Sequence, residues 1–269
     1  MKTDTKTSLF GVIGDPVSHS LSPVMHNKAF SEIGYNAIYL AFHVTDLASA
    51  IKGVRGIGIK GLSVTIPHKV SIMNFLDEID EMAEKIGAVN TVVNKGGKLF
   101  GYNTDFLGAI HALREKTDIK NKNILMIGAG GAARAIGFGI LSEGGNLTIV
   151  NILEDEGKVL SGILGVPYYH LSEFSRLDYD ILINTTPVGM SPETNKMPIE
   201  SMDLRPDKVV MDIIYNPLKT MLLAESEKIG CSTVDGVSMF VHQGAAQFEM
   251  WTEKKAPVDI MRKTVLNEL

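Results

Sequence analysis

The feature of this sequence that most constrains its fold is a glycine-rich turn between an apolar run and a helix-like segment. Residues 128–133 read Gly-Ala-Gly-Gly-Ala-Ala, directly after the apolar run 123–127 and before Ile136 and Ile140, which share one helical face. In a nucleotide-binding turn, Gly128 would permit the tight bend and Gly130 the approach of a pyrophosphate, and Ala133 would permit close helix packing. The free N–H groups at the helix start would bind phosphate oxygens. The pattern therefore predicts dinucleotide binding, the alternative being a packing turn without a ligand.

The rest of the chain alternates short apolar runs with amphipathic segments. Its 269 residues correspond to roughly 1.8 domains of about 150 residues each. Such an alternation predicts parallel sheets covered by helices on both faces, and hence an α/β fold. Strands are predicted at 9–14, 36–44, 59–66, 123–127, 147–150, 180–184 and 208–213, with a hairpin at 91–102. Helices are predicted after Ser22 and Asp46, and at 69–76, 131–143, 238–252 and 257–268.

Two local details of the first half are also predicted. Ser22 is expected to cap a helix whose first residue is Pro23. In the strand 36–44, apolar side chains recur at every second position on one face, which predicts a strand with at least one buried side. These side chains are Ile38, Leu40, Phe42 and Val44.

Composition excludes several classes of function. The formal net charge is −5, which argues against a nucleic-acid groove and against an anionic membrane as the main partner. The only cysteine, Cys231, cannot form an internal disulfide or a Cys-rich zinc site, and it fits a reducing cytoplasm. The seven histidines form no His-Glu-x-x-His pattern, so no metal site is expected.

Two polar clusters follow strands in the first half of the chain, at residues 64–69 and 103–105. Side chains at the carboxyl ends of strands in open α/β sheets face the ligand crevice. A partly desolvated Lys69 held by Asp105 could pass a proton to or from an alcohol oxygen during hydride transfer. Taken singly, a surface lysine and a helix-capping aspartate remain the simpler interpretation. Ser20 and Ser22 are either helix-capping residues or a hydroxyl pair that binds a carboxylate.

The end of the strand 146–150 normally distinguishes NAD from NADP. An acidic side chain there binds the ribose 2′-hydroxyl, whereas an arginine binds the 2′-phosphate. Here Asn151 is followed by Ile152, Leu153 and three acids up to Glu156. Three carboxylates would repel a phosphate, so the loop favours NAD. Alternatively, these acids are solvated residues that complement a helix dipole.

The order of the motifs resembles that of shikimate dehydrogenases over nearly the whole chain. In the first half the motifs are His19-Ser20-Leu21-Ser22-Pro23, Val64-Thr65-Ile66-Pro67-His68-Lys69, Gly87-Ala88-Val89-Asn90-Thr91, Asn103-Thr104-Asp105 and Gly128-Ala129-Gly130-Gly131-Ala132. In the second half they are Asn184-Thr185-Thr186-Pro187-Val188-Gly189-Met190, Asp212-Ile213-Ile214-Tyr215-Asn216-Pro217, Asp235-Gly236 and His242-Gln243-Gly244.

The resemblance implies a two-domain enzyme that reduces 3-dehydroshikimate reversibly to shikimate with NADP. It implies a substrate domain at 1–105 plus 240–269 and a Rossmann-like dinucleotide domain at 106–239, with the active site in the cleft. Lys69 and Asp105 resemble the catalytic pair, and both also resemble substrate ligands. The further residues that resemble substrate ligands are Ser20, Ser22, Thr65, Asn90, Tyr215 and Gln243. Those that resemble cofactor ligands are Gly128, Ala129, Gly130, Gly131, Ala132, Asn151, Ile213 and Gly236.

One motif departs from the family pattern. Its loop usually reads Asn-Arg-Thr with a further arginine, but Ile152 and Glu156 stand here instead. NAD is therefore an alternative to NADP, and a quinate/shikimate dehydrogenase with NAD preference is the alternative activity. A dinucleotide sensor without activity would lack the Lys–Asp pair, and a folate-linked dehydrogenase would lack the Ser-Leu-Ser and Asn-Thr-Asp motifs. We expect a cytoplasmic monomer or homodimer.

Overall fold

The computed structural model describes residues 3–269. The chain forms two compact units, each built on its own six-stranded sheet. The first unit contains the residues up to Thr104 together with Gln243–Glu268, and the second contains Asp105–His242. No helix formed by residues 3–269 combines the length and the apolar character needed to cross a membrane.

The first unit is built on a mixed sheet with the strand order β2-β1-β3-β5-β6-β4. Its strands are β1 (Ser8–Gly14), β2 (Ala37–His43), β3 (Gly61–Val64), β4 (Glu78–Ile79), β5 (Thr91–Lys95) and β6 (Lys98–Tyr102). Its helices in this part of the chain are α1 (Ser22–Glu32), α2 (Leu47–Ile57), α3 (His68–Ser71) and α4 (Glu81–Ile86). The predicted hairpin is present as β5 and β6. Since β5 also pairs antiparallel with β3, this sheet is mixed rather than parallel.

The second unit is built on a parallel sheet, as expected, with the strand order β12-β11-β10-β7-β8-β9. Its strands are β7 (Asn123–Ile127), β8 (Asn146–Asn151), β9 (Tyr168–His170), β10 (Ile181–Asn184), β11 (Val209–Asp212) and β12 (Ser232–Val234). The remaining helices are α5 (Asp105–Arg114), α6 (Gly131–Ser142), α7 (Glu154–Leu164), α8 (Met221–Lys228), α9 (Gly236–Thr252) and α10 (Val258–Leu266). The α/β fold class is thus confirmed.

The buried face of β2 is not the one that carries the alternating apolar side chains. Ala37 and Tyr39 are fully buried, whereas Leu40, on the alternating face, is 41% exposed. One reason is that β2 lies at the edge of its sheet. The other is that the Tyr39 ring stacks on the buried His26 ring, with the ring centroids 4.6 Å apart. The aromatic side chain, rather than the aliphatic alternation, therefore determines which face packs inward.

The start of α1 also differs by one residue from the prediction. Leu21 occupies the cap position and Ser22 is the first helical residue, with no side-chain cap hydrogen bond. By contrast, Asp46 caps α2 as predicted, because its side chain accepts the Ser49 N–H. Ser22 therefore does not cap α1.

Part of α9 belongs to the core of the first unit. The indole N–H of Trp251 donates to Val92 O over 3.0 Å. A Cβ on Gly61 would lie 2.2 Å from the same indole nitrogen, so only glycine fits at the start of β3. This packing anchors the carboxyl-terminal half of α9 on the sheet.

A buried carboxylate organises the carboxyl ends of β10 and β11. The Asp212 carboxylate accepts hydrogen bonds from Thr220 Oγ1 at 2.7 Å, Ile214 N at 3.1 Å and Asn184 Nδ2 at 3.1 Å. The side chain is fully buried, and burial raises its pKa to about 6 despite these donors. Asp212 therefore ties the loop after β11 to the loop after β10.

The raised pKa of Asp212 predicts a pH-dependent stability. Below about pH 4 the carboxyl is neutral in both states, and its full contribution to stability is present. Above about pH 6 the folded protein must bury a charge, so up to about 3 kcal/mol is lost as pH rises through this window. In Asp212→Asn this loss should be absent, because asparagine mimics the neutral acid.

Urea unfolding of the wild type and of Asp212→Asn at closely spaced pH values measures the effect as a difference. The exposed Asp118→Asn provides a matched control whose difference from the wild type should not follow the same curve. A wild-type stability that rises relative to Asp212→Asn between pH 4 and 6 would contradict the assignment.

Candidate active site

Polar residues of the first unit collect where β3 ends. Thr65 directly follows β3, and Asn90 directly precedes β5, which runs antiparallel to β3. Because β5 is antiparallel to β3, it begins beside the residue at which β3 ends. The Val64 N–H accordingly donates to Asn90 O over 2.8 Å. The strand β6 returns to the same edge, where the Asn90 N–H donates to Tyr102 O over 3.0 Å. Hence residues from three stretches of the chain meet at one edge of the sheet.

Lys69 belongs to the same edge. It lies in α3, and its carbonyl accepts the Val89 N–H over 2.8 Å, which ties its backbone to the segment before Asn90. Its neighbour His68 is buried, with Nε2 at 2.7 Å from Val44 O. His68 is thus held by a backbone carbonyl, which supports a structural role for it rather than a proton relay.

The serine pair forms a local turn after β1. The Ser22 N–H donates to Ser20 Oγ over 3.3 Å, which orients the two hydroxyls relative to one another. Ser22 is buried. The Tyr39 phenol donates to Ser63 Oγ over 2.6 Å, and burial raises the pKa of this phenol, so it remains neutral.

The side chain of Asn90 contacts two threonine hydroxyl groups that were not predicted as part of the site. Its Oδ1 accepts the Thr104 N–H and the Thr91 hydroxyl, each over 2.7 Å. Its Nδ2 donates to Thr104 Oγ1 over 3.1 Å. The one available signal was that these threonines adjoin Asn90 and Asp105 in the quoted motifs.

The proposed site residues are divided between the two units. The first unit contains Ser20, Ser22, Thr65, Lys69, Asn90 and Gln243, and the second contains Asp105, Tyr215, Gly128, Ala129, Gly130, Gly131, Ala132, Asn151, Ile213 and Gly236. Asp105 is the first residue of α5 and is half-buried, as is Gln243 in α9. Their roles, and the pairing of Lys69 with Asp105, stay predictions. Within residues 3–269 no group of three or more His, Cys, Asp or Glu is placed to hold a metal ion.

The glycine-rich turn of the second unit has the predicted setting between β7 and α6. Gly128 has φ +111°, and a Cβ there would lie 2.4 Å from Thr185 Oγ1, so both conformation and space require glycine. Gly130 is the cap residue of α6. Gly130 and Gly131 are exposed, and a Cβ on either would meet nothing within 4 Å, so the start of α6 has room for a pyrophosphate. The turn therefore fits a dinucleotide.

Two loops flank this turn at the carboxyl edge of the sheet. Thr185, after β10, donates through its hydroxyl to Ile127 O over 2.7 Å, which holds the loop beside the glycine turn. After β11, the Ile213 N–H donates to Asn184 O over 3.2 Å. The buried pair of Asn184 and Asp212 fixes both loops from below, a function that sequence analysis did not assign to them.

Tyr215 lies in the loop after β11, and Gly236 lies against this loop. The Tyr215 ring packs against Phe240 with ring centroids 5.3 Å apart, and burial raises its pKa. A Cβ on Gly236 would lie 2.3 Å from Ile214 O, so a side chain at this position would displace the loop. The start of α9 and the Tyr215 loop are thus in direct contact.

The loop after β8 presents apolar and acidic groups. Asn151 is buried, and its Nδ2 donates to Leu153 O over 2.9 Å, while Ile152 is 63% exposed. The nearest following base, Lys158, is paired with Glu154 at 2.5 Å. The amide of Asn151 thus holds the loop through Leu153 O, and the side chains of Ile152 and Leu153 are exposed.

Comparisons with known proteins identify the family of this chain. Residues 12–92 match the model of the shikimate dehydrogenase substrate-binding domain, and residues 236–266 match that of the shikimate 5′-dehydrogenase C-terminal domain. A relative named shikimate dehydrogenase (NADP(+)) from Methanococcus maripaludis is 47% identical over 99% of each chain.

Solved structures extend the likeness to the whole fold. A shikimate dehydrogenase crystallised with NADP+ is 40% identical, with a TM-score of 0.94 over 99% of this chain and 97% of that one. A shikimate 5-dehydrogenase from Listeria monocytogenes in complex with shikimate and NAD is 36% identical, with a TM-score of 0.92 over 98% of each chain. The resemblance predicted from the motifs is therefore confirmed, and the chain belongs to the shikimate dehydrogenase family.

Proposed function

We propose that this chain catalyses the reversible, NADP-linked reduction of 3-dehydroshikimate to shikimate. The observation that carries the proposal is the gathering of Thr65, Lys69 and Asn90 at the edge where β3 ends, within a member of this family. A hydroxyl, an ammonium and an amide at one edge suit a small acid that carries several ring hydroxyls.

The substrate would be bound by groups whose chemistry matches its own. Ser20 and Ser22, oriented by their local turn, would donate to the carboxylate. Thr65, Asn90 and Gln243 would bind the ring hydroxyls, with Tyr215 lining the pocket. Because the side chains of Ser20 and Asn90 each accept a backbone N–H, they would hold the substrate in a constant position.

Lys69 and Asp105 would perform the proton transfer. When bound, the reduced nicotinamide supplies the hydride for the carbonyl carbon. Lys69 Nζ would then donate a proton to the oxygen that becomes an alcohol, while Asp105 holds the ammonium by charge and hydrogen bonding. In the oxidation direction the same pair would accept that proton.

The cofactor would be held mainly by the turn at Gly128–Ala132 and by the loops carrying Asn151, Ile213 and Gly236. NADP is the cofactor named for the relatives, although no arginine stands in the loop after β8. Exposed Ile152 and the acids of α7 offer no cation to a 2′-phosphate, so discrimination against NAD should be weak. A cytoplasmic location and a monomeric or homodimeric state stay predictions.

Replacement of Lys69 by alanine tests the proton-transfer role. Loss of general acid–base help should lower kcat for shikimate oxidation by about 10²–10⁴-fold, with a smaller change in KM. Lys52→Ala, which removes an exposed lysine of α2, should leave both constants unchanged. Wild-type turnover in Lys69→Ala would exclude Lys69 from the mechanism.

Parallel rates with NADP and NAD test the cofactor assignment, and quinate in place of shikimate tests the alternative activity. We expect the wild-type preference for NADP to stay below about 100-fold, and Ile152→Arg to raise it roughly tenfold by adding a phosphate-binding cation. Val159→Arg places the same charge on the exposed surface of α7 and should change it little. An NADP preference above 100-fold in the wild type would contradict our interpretation of this loop.

A further inference from the structure

We propose that Gln247 and Thr91 are positioning residues that hold the side chain of Asn90 for substrate binding through a buried chain of hydrogen bonds. The inference rests on the proposed function, because it concerns Asn90 as a ligand of the ring hydroxyls. Neither residue belongs to the set of substrate ligands derived from the motifs. Both are nearly inaccessible, with Gln247 1% and Thr91 0% exposed.

The chain of hydrogen bonds begins at the phenol of Tyr39. This phenol donates to Ser63 Oγ over 2.6 Å, and Ser63 Oγ donates in turn to Gln247 Oε1 over 2.6 Å. This end of the hydrogen-bond chain lies inside the first unit, because the Tyr39 side chain is fully buried.

The chain continues from the amide nitrogen of Gln247. Nε2 donates to Thr91 Oγ1 over 3.0 Å and to Asn90 O over 3.2 Å. Thr91 Oγ1 donates to Asn90 Oδ1 over 2.7 Å. The other end is thus attached to both the backbone and the side chain of a proposed hydroxyl ligand.

The donors and acceptors of this chain point in one direction. Since Gln247 Oε1 accepts from Ser63, its nitrogen is the end that faces Thr91. The Thr91 hydroxyl accepts from that nitrogen and donates to Asn90 Oδ1, the shorter of its two contacts with possible acceptors, the other being Thr104 Oγ1 at 3.2 Å. Together with the Thr104 N–H, which donates to the same oxygen, the Thr91 hydroxyl orients the side-chain amide of Asn90.

A primary amide is the side chain that this position requires. It accepts at one end and donates at the other, whereas a carboxylate would only accept and a hydrocarbon would do neither. Gln247 lies on α9 one turn after Gln243, so the same helix would carry one substrate ligand and position another. The buried polar chain therefore couples the helix to the substrate-binding edge.

Thr91→Val removes the link to Asn90 while keeping a β-branched side chain in β5. We expect KM for shikimate to rise about tenfold, the effect of one buried hydrogen bond, while KM for NADP changes less than about twofold. Thr91→Ser keeps the hydroxyl and should restore KM to near the wild-type value. Gln247→Glu, which replaces the donor by an acceptor, should raise KM in the same way and provides the test if Thr91→Val does not fold.

KM is measured for each variant at a temperature well below the lowest Tm among the variants. Thermal unfolding of each variant gives its Tm. A purely structural role would lower Tm and leave KM for shikimate unchanged, and that result would overturn the proposal. Equal losses in Thr91→Val and Thr91→Ser would also overturn it, because the hydroxyl would then be irrelevant. The rate of the wild type with shikimate tests the proposed function. The role of Thr91 is tested separately, by the ratio of each variant's KM for shikimate to that of the wild type.

Discussion

The pairing of β3 with the antiparallel strand β5 is the constraint on which the proposed substrate site depends. An antiparallel neighbour begins where β3 ends, so Asn90 lies beside Val64 and Thr65 rather than at the opposite edge of the sheet. The tight hairpin then returns β6 to that edge and places Thr104 against the Asn90 amide. A wholly parallel sheet would leave Asn90 at the far edge.

The two units use different buried groups to hold loops and site residues at one edge of each sheet. In the second unit, parallel strands place the glycine turn and the loops after β10 and β11 at one edge directly, and a buried carboxylate, Asp212, links those loops. In the first unit, neutral hydroxyls and amides perform the linking, with Gln247 at the centre. Neutral groups avoid burying charge next to an anionic substrate.

Much of this architecture is predictable from local patterns. Apolar runs bounded by glycine and proline locate most strands, and Asp46 marks the start of α2. Local patterns are insufficient where tertiary packing overrides a local preference: Tyr39 rather than Leu40 is buried in β2, and Leu21 rather than Ser22 caps α1. The short elements β4, β9, β12 and α4 are too brief to show a period.

The candidate site is predictable in its composition but not in its support. Lys69, Asn90 and the glycine turn stand out through their motifs at strand ends. The buried partners Thr91, Ser63 and Gln247 do not, because the last is far from Asn90 along the chain and a lone glutamine in a helix has no signature. Only the fold reveals that these polar side chains satisfy one another.

The central claim is that Lys69 and Asp105 act as one proton-transfer unit, and a double-mutant cycle tests it most directly. We predict that Lys69→Ala, Asp105→Asn and the double variant have losses in kcat/KM that do not multiply, the double being no worse than about the larger single loss. Losses that multiply would show that the two residues act independently, and would contradict the account.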